Sequence, residues 1–302
     1  MWFRNLQLYR LQAPFELTPE QLHEELAAKA FKPCAGLDTH RIGWAPPLGR
    51  HGEQLVHATN GRLMVCLRRE ERILPAAVVN EAVAEKVEAI EETEARQVGR
   101  KEKSRLKEET VVDLLPRAFT RSSHLFAYID PADGWIVVDN SSANRAEELL
   151  SLLRETLGSL KVKPLGVAQA PAQVMTAWLV DGAPAQVEIT DECELKEPVE
   201  DGAIIRCKRV DLGGDEVKVH LDAGKQVTRL AVEWNERVAC VLSDDLVVRR
   251  LRFMDLVLEE AAETEADDAI ARFDADFALM AMELGRFLPW VVEVFGGFEE
   301  EA

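Results

Sequence analysis

No run of about 18 apolar residues occurs in the 302-residue chain, which excludes a membrane-spanning helix on length alone. The opening MWFRNLQLYRLQ has neither a charged lead-in nor an apolar stretch of signal-peptide length, so the expected location is the cytoplasm. Cysteine is scarce. Cys34, Cys66, Cys193, Cys207 and Cys240 are odd in number, widely spaced and without any C-x-x-C, and neither a disulfide framework nor a zinc site is expected; most should be small core residues. Catalytic motifs are missing as well. His23-Glu24-Glu25 is followed by Ala27 where a zinc protease needs a second histidine, and Gly224-Lys225 has Val219 and Gln226 at the other defining positions of a phosphate-binding loop. No G-x-S-x-G or G-x-G-x-x-G occurs. Carboxylate pairs such as Asp244-Asp245, Asp267-Asp268 and Asp274-Asp276 are plentiful, but none is singled out, and the last spacing puts its side chains on different faces of a helix. The histidines at 40, 51, 57, 124 and 220 lack ligand spacing. The expectation is a protein that is not an enzyme and holds neither metal nor cofactor.

What the chain does have is charge, segregated by sign. The formal net charge is −18. Residues 181–201 carry eight acids against Lys196, residues 255–276 carry nine against Arg272, and the tail ends Glu299, Glu300, Glu301. Against this, residues 96–121 set eight basic side chains (Arg96, Arg100, Lys101, Lys103, Arg105, Lys107, Arg117, Arg121) against four acids. A basic block gives an acidic protein no added solubility. It reads either as a solvated helix face or as the docking site of an anionic partner, which the acid elsewhere would repel and so orient. Lys208-Arg209, just past an acidic stretch, carries the same ambiguity, with a strand-edge gatekeeper as the plainer reading.

Periodicity and turn chemistry predict an α+β fold with antiparallel sheets. Leu6 and Leu8 alternate with Gln7 and Tyr9 as in a half-buried strand, and Thr18-Pro19-Glu20-Gln21 supplies an N-cap, an N1 proline and a capping-box partner for a helix. Asn60-Gly61 between LVHAT and RLMVCLRR is a type I′ hairpin signal, and Pro131-Ala132-Asp133-Gly134 marks a second hairpin. Between them a helix of about 22 residues, roughly 33 Å long, starts near Pro75 and is interrupted at Gly99; a second helix, Lys101 to Leu115, returns alongside as a projecting helical hairpin. Pro116 ends it and leaves Arg117, Ala118 and Phe119 on a loop. Asn144 reads as the cap of a leucine-rich helix that Gly158 closes. The expected divisions are an N-terminal domain of 1–75 and 116–166, the hairpin 76–115, and a C-terminal α+β domain of 167–302.

Six strings, MWFRNLQLYRL, GWAPPLG, REERILP, LLPRAF, EDGAIIRCKR and RFDADFALM, together resemble the RdgC family of recombination-associated proteins in order and spacing across essentially the entire chain. The resemblance implies a bacterial, nucleoid-associated, non-enzymatic DNA-binding protein whose crescent-shaped subunit closes into a ring homodimer. The hole of such a ring admits duplex DNA, and the protein antagonises loading of RecA; single-stranded DNA is a further possible partner. Carried onto this sequence, the hairpin is the finger, with Arg96 on it; Arg117 and Phe119 lie near its contact with DNA or the partner finger, and Lys208 and Arg209 line the hole. The basic block itself adds Arg100, Lys101, Lys103 and Arg121 as DNA-binding candidates. The hairpin's first helix departs from a uniformly basic finger: Glu81, Glu85, Glu88, Glu91, Glu92 and Glu94 face only Lys86. The competing reading of the charges is an acidic adaptor that binds a basic protein through 181–201 and 255–276.

Overall fold

The computed structural model describes residues 1–263 and 268–299, so Glu265, Asp267, Glu300 and Glu301 of the acidic runs lie outside the described residues. Strands β1 (Leu6–Leu11), β2 (His40–Ala45), β3 (Val56–Thr59), β4 (Arg62–Ile73), β5 (Phe119–Asp130), β6 (Trp135–Asp139) and β7 (Val162–Pro164) form one sheet, ordered β2-β4-β5-β6-β1-β7 with β3 sharing the β4 edge. A second sheet, ordered β12-β11-β10-β8-β9, is built from β8 (Val187–Lys196), β9 (Ile204–Lys208), β10 (Gln226–Trp234), β11 (Val238–Ser243) and β12 (Arg249–Phe253). Every strand pairing is antiparallel, as the α+β reading requires. Main-chain bonds stitch the sheets together: Leu6 N–H donates to Val248 (2.8 Å), Val248 N–H to Leu6 (3.1 Å) and Leu251 N–H to Arg4 (2.7 Å).

Local chemistry explains several of the elements. Thr18 caps α1 (Pro19–Ala27) in a complete capping box with Gln21. Asn60 and Gly61 take φ of 50° and 77° between the paired residues Thr59 and Arg62, the type I′ geometry their dipeptide favours. The second hairpin closes across Asp130 and Trp135. Helix α4 (Ala143–Leu157) ends in left-handed Gly158, but its cap stands two residues ahead of the expected Asn144. Its N-cap is Ser142, because Asn140 Oδ1 accepts the Ser142 N–H at 2.8 Å and turns the chain early, which leaves Asn144 inside the first turn.

Strand β1 also departs from expectation. Gln7 and Tyr9 are buried along with Leu6 and Leu8, because the first sheet is covered on both faces. On one side, Tyr9, Leu63, Val65 and Ile136 pack with Leu22 and Leu26 of α1 and with Leu149, Leu150 and Leu153 of α4. On the other, Leu6, Leu8, Met64, Tyr128 and Val137 join the larger core, where α8 (Ala269–Val294) brings Phe277, Met280, Leu284 and Phe287 against Leu230, Val232 and Cys240 of the second sheet. Helices α5 (Pro171–Asp181), α6 (Asp215–Asp222) and α7 (Asp255–Glu263) supply Met175, Trp178, Val217 and Val257 to the same core. One apolar core therefore runs across the expected boundary between 166 and 167 and joins both halves.

Candidate nucleic-acid interface

Five of the eight cations of the basic block fall on α3 (Arg100–Leu114), which packs against α2 (Ala76–Glu94). The pair has its own small core of Val87, Val98 and Leu106, flanked by Val83 and Ile90 and separate from the two larger ones. Lys86 Nζ reaches Asp113 at 2.8 Å and ties the helices together. Helix α2 is shorter than expected, 19 residues or about 28 Å at 1.5 Å per residue. The interruption is not made by Gly99, whose φ of −73° suits any residue and which serves as the N-cap of α3. Ala95 makes it, in the left-handed region at φ 49°. Val98 is drawn into the small core, and its N–H donates to Glu91 at 2.9 Å.

The candidate residues divide by whether a carboxylate has already claimed them. Arg96 has been claimed: Nε donates to Glu94 at 2.6 Å, and its two terminal nitrogens grip Glu102 at 2.7 and 2.8 Å. The hydrogen bonds that Arg96 donates to Glu102 and then Glu94 hold its proton more tightly, while the same contact holds Glu102 below the usual carboxylate range. Arg105 pairs with Glu109 at 3.4 Å. By contrast, Arg100, Lys101, Lys103 and Lys107 are exposed, and among the described residues no carboxylate lies within ion-pair distance of them. Arg100, Lys103 and Lys107, spaced by three and then four, follow one stripe of α3. Lys107 belongs to the basic block but was not among the DNA-binding candidates singled out from it; its position four after Lys103 places it on the same stripe.

Both ends of the helix pair spring from adjoining ends of β4 and β5, where Ile73 and Phe119 face each other in register. The first six residues of β5, Phe119 to His124, are exposed. Pro116 does end the return helix, but the residues after it are not a loop: Leu115–Arg117 form a 3-10 turn and Phe119 opens β5. Arg72 fixes this junction by donating to the Pro116 and Ala118 carbonyls at 3.2 and 3.4 Å. Arg117 is exposed and, among the described residues, without a carboxylate partner. Phe119 is 84 % exposed and takes no part in the core. Arg121 is held by Glu71, whose carboxyl that contact keeps below its usual range.

Lys208 and Arg209 stand on the second sheet, at the end of its edge strand β9. Lys208 lies opposite Glu192 in register and pairs with it at 3.5 Å, while Arg250 takes the same carboxylate at 2.9 Å. Burial works against ionising Glu192, yet the Arg250 hydrogen bond leaves its carboxyl below the ordinary value. Arg209 turns left-handed at φ 56° with an exposed side chain. The structure thus gathers Arg96, Arg100, Lys101 and Lys103 on one helix pair and Arg117, Phe119 and Arg121 at its base, and it sets Lys208 and Arg209 on a different sheet.

The acidic pairs find separate partners. Asp274 lies 2.9 Å from His57 Nε2, Asp276 takes the Met1 ammonium at 2.7 Å, and Asp245 takes Arg249 at 2.7 Å. Among the described residues no three His, Cys, Asp or Glu side chains gather as a metal site, and no helix is long and apolar enough to cross a membrane.

A family model described as "Putative exonuclease, RdgC" matches residues 1–298. A protein of Aeromonas hydrophila named Recombination-associated protein RdgC is 48% identical over 301 residues, 99% of each chain. Proteins of the same name from Tolumonas auensis and Pseudomonas aeruginosa are each 45% identical, over 302 residues (100% of each chain) and 301 residues (99% of this chain and 98% of that one). A whole-chain family match and near-half identity to full-length relatives lead to one conclusion: the chain belongs to the RdgC family of recombination-associated proteins.

Proposed function

We propose that the protein is a cytoplasmic, nucleoid-associated, sequence-independent DNA-binding protein that closes as a ring-shaped homodimer around duplex DNA and restrains RecA loading. In this reading α2 and α3 are the projecting finger, and Lys208 and Arg209 face the hole. Single-stranded DNA is a second ligand. The observation that carries the reading is the stripe of exposed, unclaimed cations on α3, continued by Arg117, in a chain of net charge −18. Cations without carboxylate partners are free to release the counterions of phosphates, and such contacts position a duplex without reading its bases. Two-fold symmetry doubles each basic patch about one axis. The link to recombination comes from the relatives' names, and antagonism of RecA from the family resemblance.

The test is a salt-titrated isotherm on random-sequence duplex. Replacing Arg100, Lys101 and Lys103 together by Gln removes three phosphate contacts. The slope of log K against log[salt] should then become shallower by about 2.7, at roughly 0.9 per contact. An unchanged slope removes α3 from the interface, and a parent protein that binds no DNA overturns the function. Circular plasmid should retain the protein through a high-salt wash better than the linearised form; equal loss removes encirclement. The family description favours an exonuclease as the second reading. It prevails if the DNA shortens when Mg²⁺ is added to the same mixture; in the reading proposed here the DNA stays intact.

A further inference from the structure

Five thiols are free in this chain, and two of them face each other. Cys193 of β8 and Cys207 of β9 are direct cross-strand partners, flanked in register by Glu192 with Lys208 and Glu194 with Arg206. Residues so placed in an antiparallel pair have Cα atoms about 4.5 or 5.5 Å apart, and a disulfide spans roughly 4.4–6.8 Å. The Cα separation lies within disulfide range, and the two thiols are hydrogen-bonded neighbours. The other strand cysteines lack this arrangement: Cys66 faces Ala45 and Phe126, and Cys240 faces Val232. Cys193 is 2 % exposed, whereas Cys207 is partly open to solvent on a strand hydrogen-bonded along one side only.

We propose that Cys193 and Cys207 are a redox modification site that closes reversibly into an intramolecular disulfide. The oxidant is a low-molecular-weight disulfide. The half-exposed Cys207 thiol attacks it as thiolate, one sulfur leaves as a free thiol, and a mixed disulfide remains on Cys207. Cys193 then attacks the Cys207 sulfur, and the second small thiol leaves. The protein pair gives up two protons and two electrons, and the small disulfide gains them as two thiols. Burial, and then the neighbouring Cys207, push the Cys193 thiol above its ordinary value, so the second step is slow and closure runs over minutes to hours. The product fastens edge strand β9, which carries Lys208, to β8.

The reduced full-length protein, incubated with glutathione disulfide, is followed by thiol titration, intact mass and peptide mapping without reductant. Free thiols should fall from five to three, with the mass lower by two hydrogens and Cys193 and Cys207 in one linked pair of peptides. Dithiothreitol should restore all five. Cys193→Ala should trap glutathione on Cys207. Because Cys193 sits in the core, Cys207→Ser provides a second variant, which should fold normally and form no internal bond. Cys193 and Cys207 both remaining reduced while Cys34 is modified overturns the proposal. So does glutathione that stays on Cys207 of the parent without ring closure, or a linkage between two molecules.

Discussion

Replacing Phe119 by Ala tests whether the base of the helix pair presents an apolar side chain to solvent or anchors it inside. A buried Phe covers roughly 150–250 Å². With Phe119 84 % exposed, only about 30 Å² of that is withdrawn from water. At about 25 cal/mol per Å² the loss is ~0.8 kcal/mol. Phe277, fully buried in the larger core, is the control, and its truncation should cost about 3–5 kcal/mol. Urea unfolding of parent, Phe119→Ala and Phe277→Ala at two protein concentrations reads the difference directly. Phe119→Ala should shift the midpoint slightly and equally at both. A loss that grows with concentration would mean that a second copy covers the ring, since association stabilises by mass action. A loss as large as that of Phe277→Ala at both concentrations would refute the reasoning.

Ala95→Gly should stabilise the helix pair by about 1 kcal/mol, because Ala95 holds a left-handed conformation that costs a side chain roughly that much; amide exchange across α2 and α3 should slow ~fivefold. Glu283 is fully buried between Arg237 and Arg286; Glu283→Gln removes the charge they share, while Arg237 keeps Glu260 at 2.9 Å and Arg286 stays largely open to water. A loss of about 1–3 kcal/mol in denaturant unfolding is expected. His124 lies on the exposed run of β5, yet partial withdrawal of its ring from water, and then Arg68, lower its pKa. The unfolded chain therefore binds more protons from that lowered value up to about 6.5, stability rises with pH across the window, and the gain is complete above it. His124→Gln should flatten unfolding midpoints measured from pH 5 to 7.5.

Turn and cap chemistry was legible in the sequence because it acts over two to four residues: Asn60-Gly61, Thr18 with Gln21, and Gly158 stand where their side chains or their lack of one dictate. The helix pair was legible from its helical periodicity. Long-range pairing was not. Burial along both faces of β1 depends on helices brought in by folding: Tyr9 packs with α1 and α4, and Leu6 and Leu8 join the core of α8, more than 250 residues away. Which cations remain available depends on carboxylates brought in by folding. Arg96, Arg121 and Lys208 look no different in sequence from Arg100 or Arg117, yet Glu102, Glu71 and Glu192 claim them. The juxtaposition of Cys193 and Cys207 needs the β8–β9 register, which composition does not encode.

Ile73 and Phe119 are paired across β4 and β5, so the chain leaves the sheet and re-enters it at neighbouring points. Everything between them is, to the body of the protein, a single closed excursion. Its length is decoupled from the strand register: adding or removing one helical turn in each of α2 and α3 moves the tip by about 5.4 Å and leaves every sheet contact in place. The span of the helix pair is thus a dimension that substitution and insertion adjust independently of the core, like the jaw of a caliper set on a fixed frame.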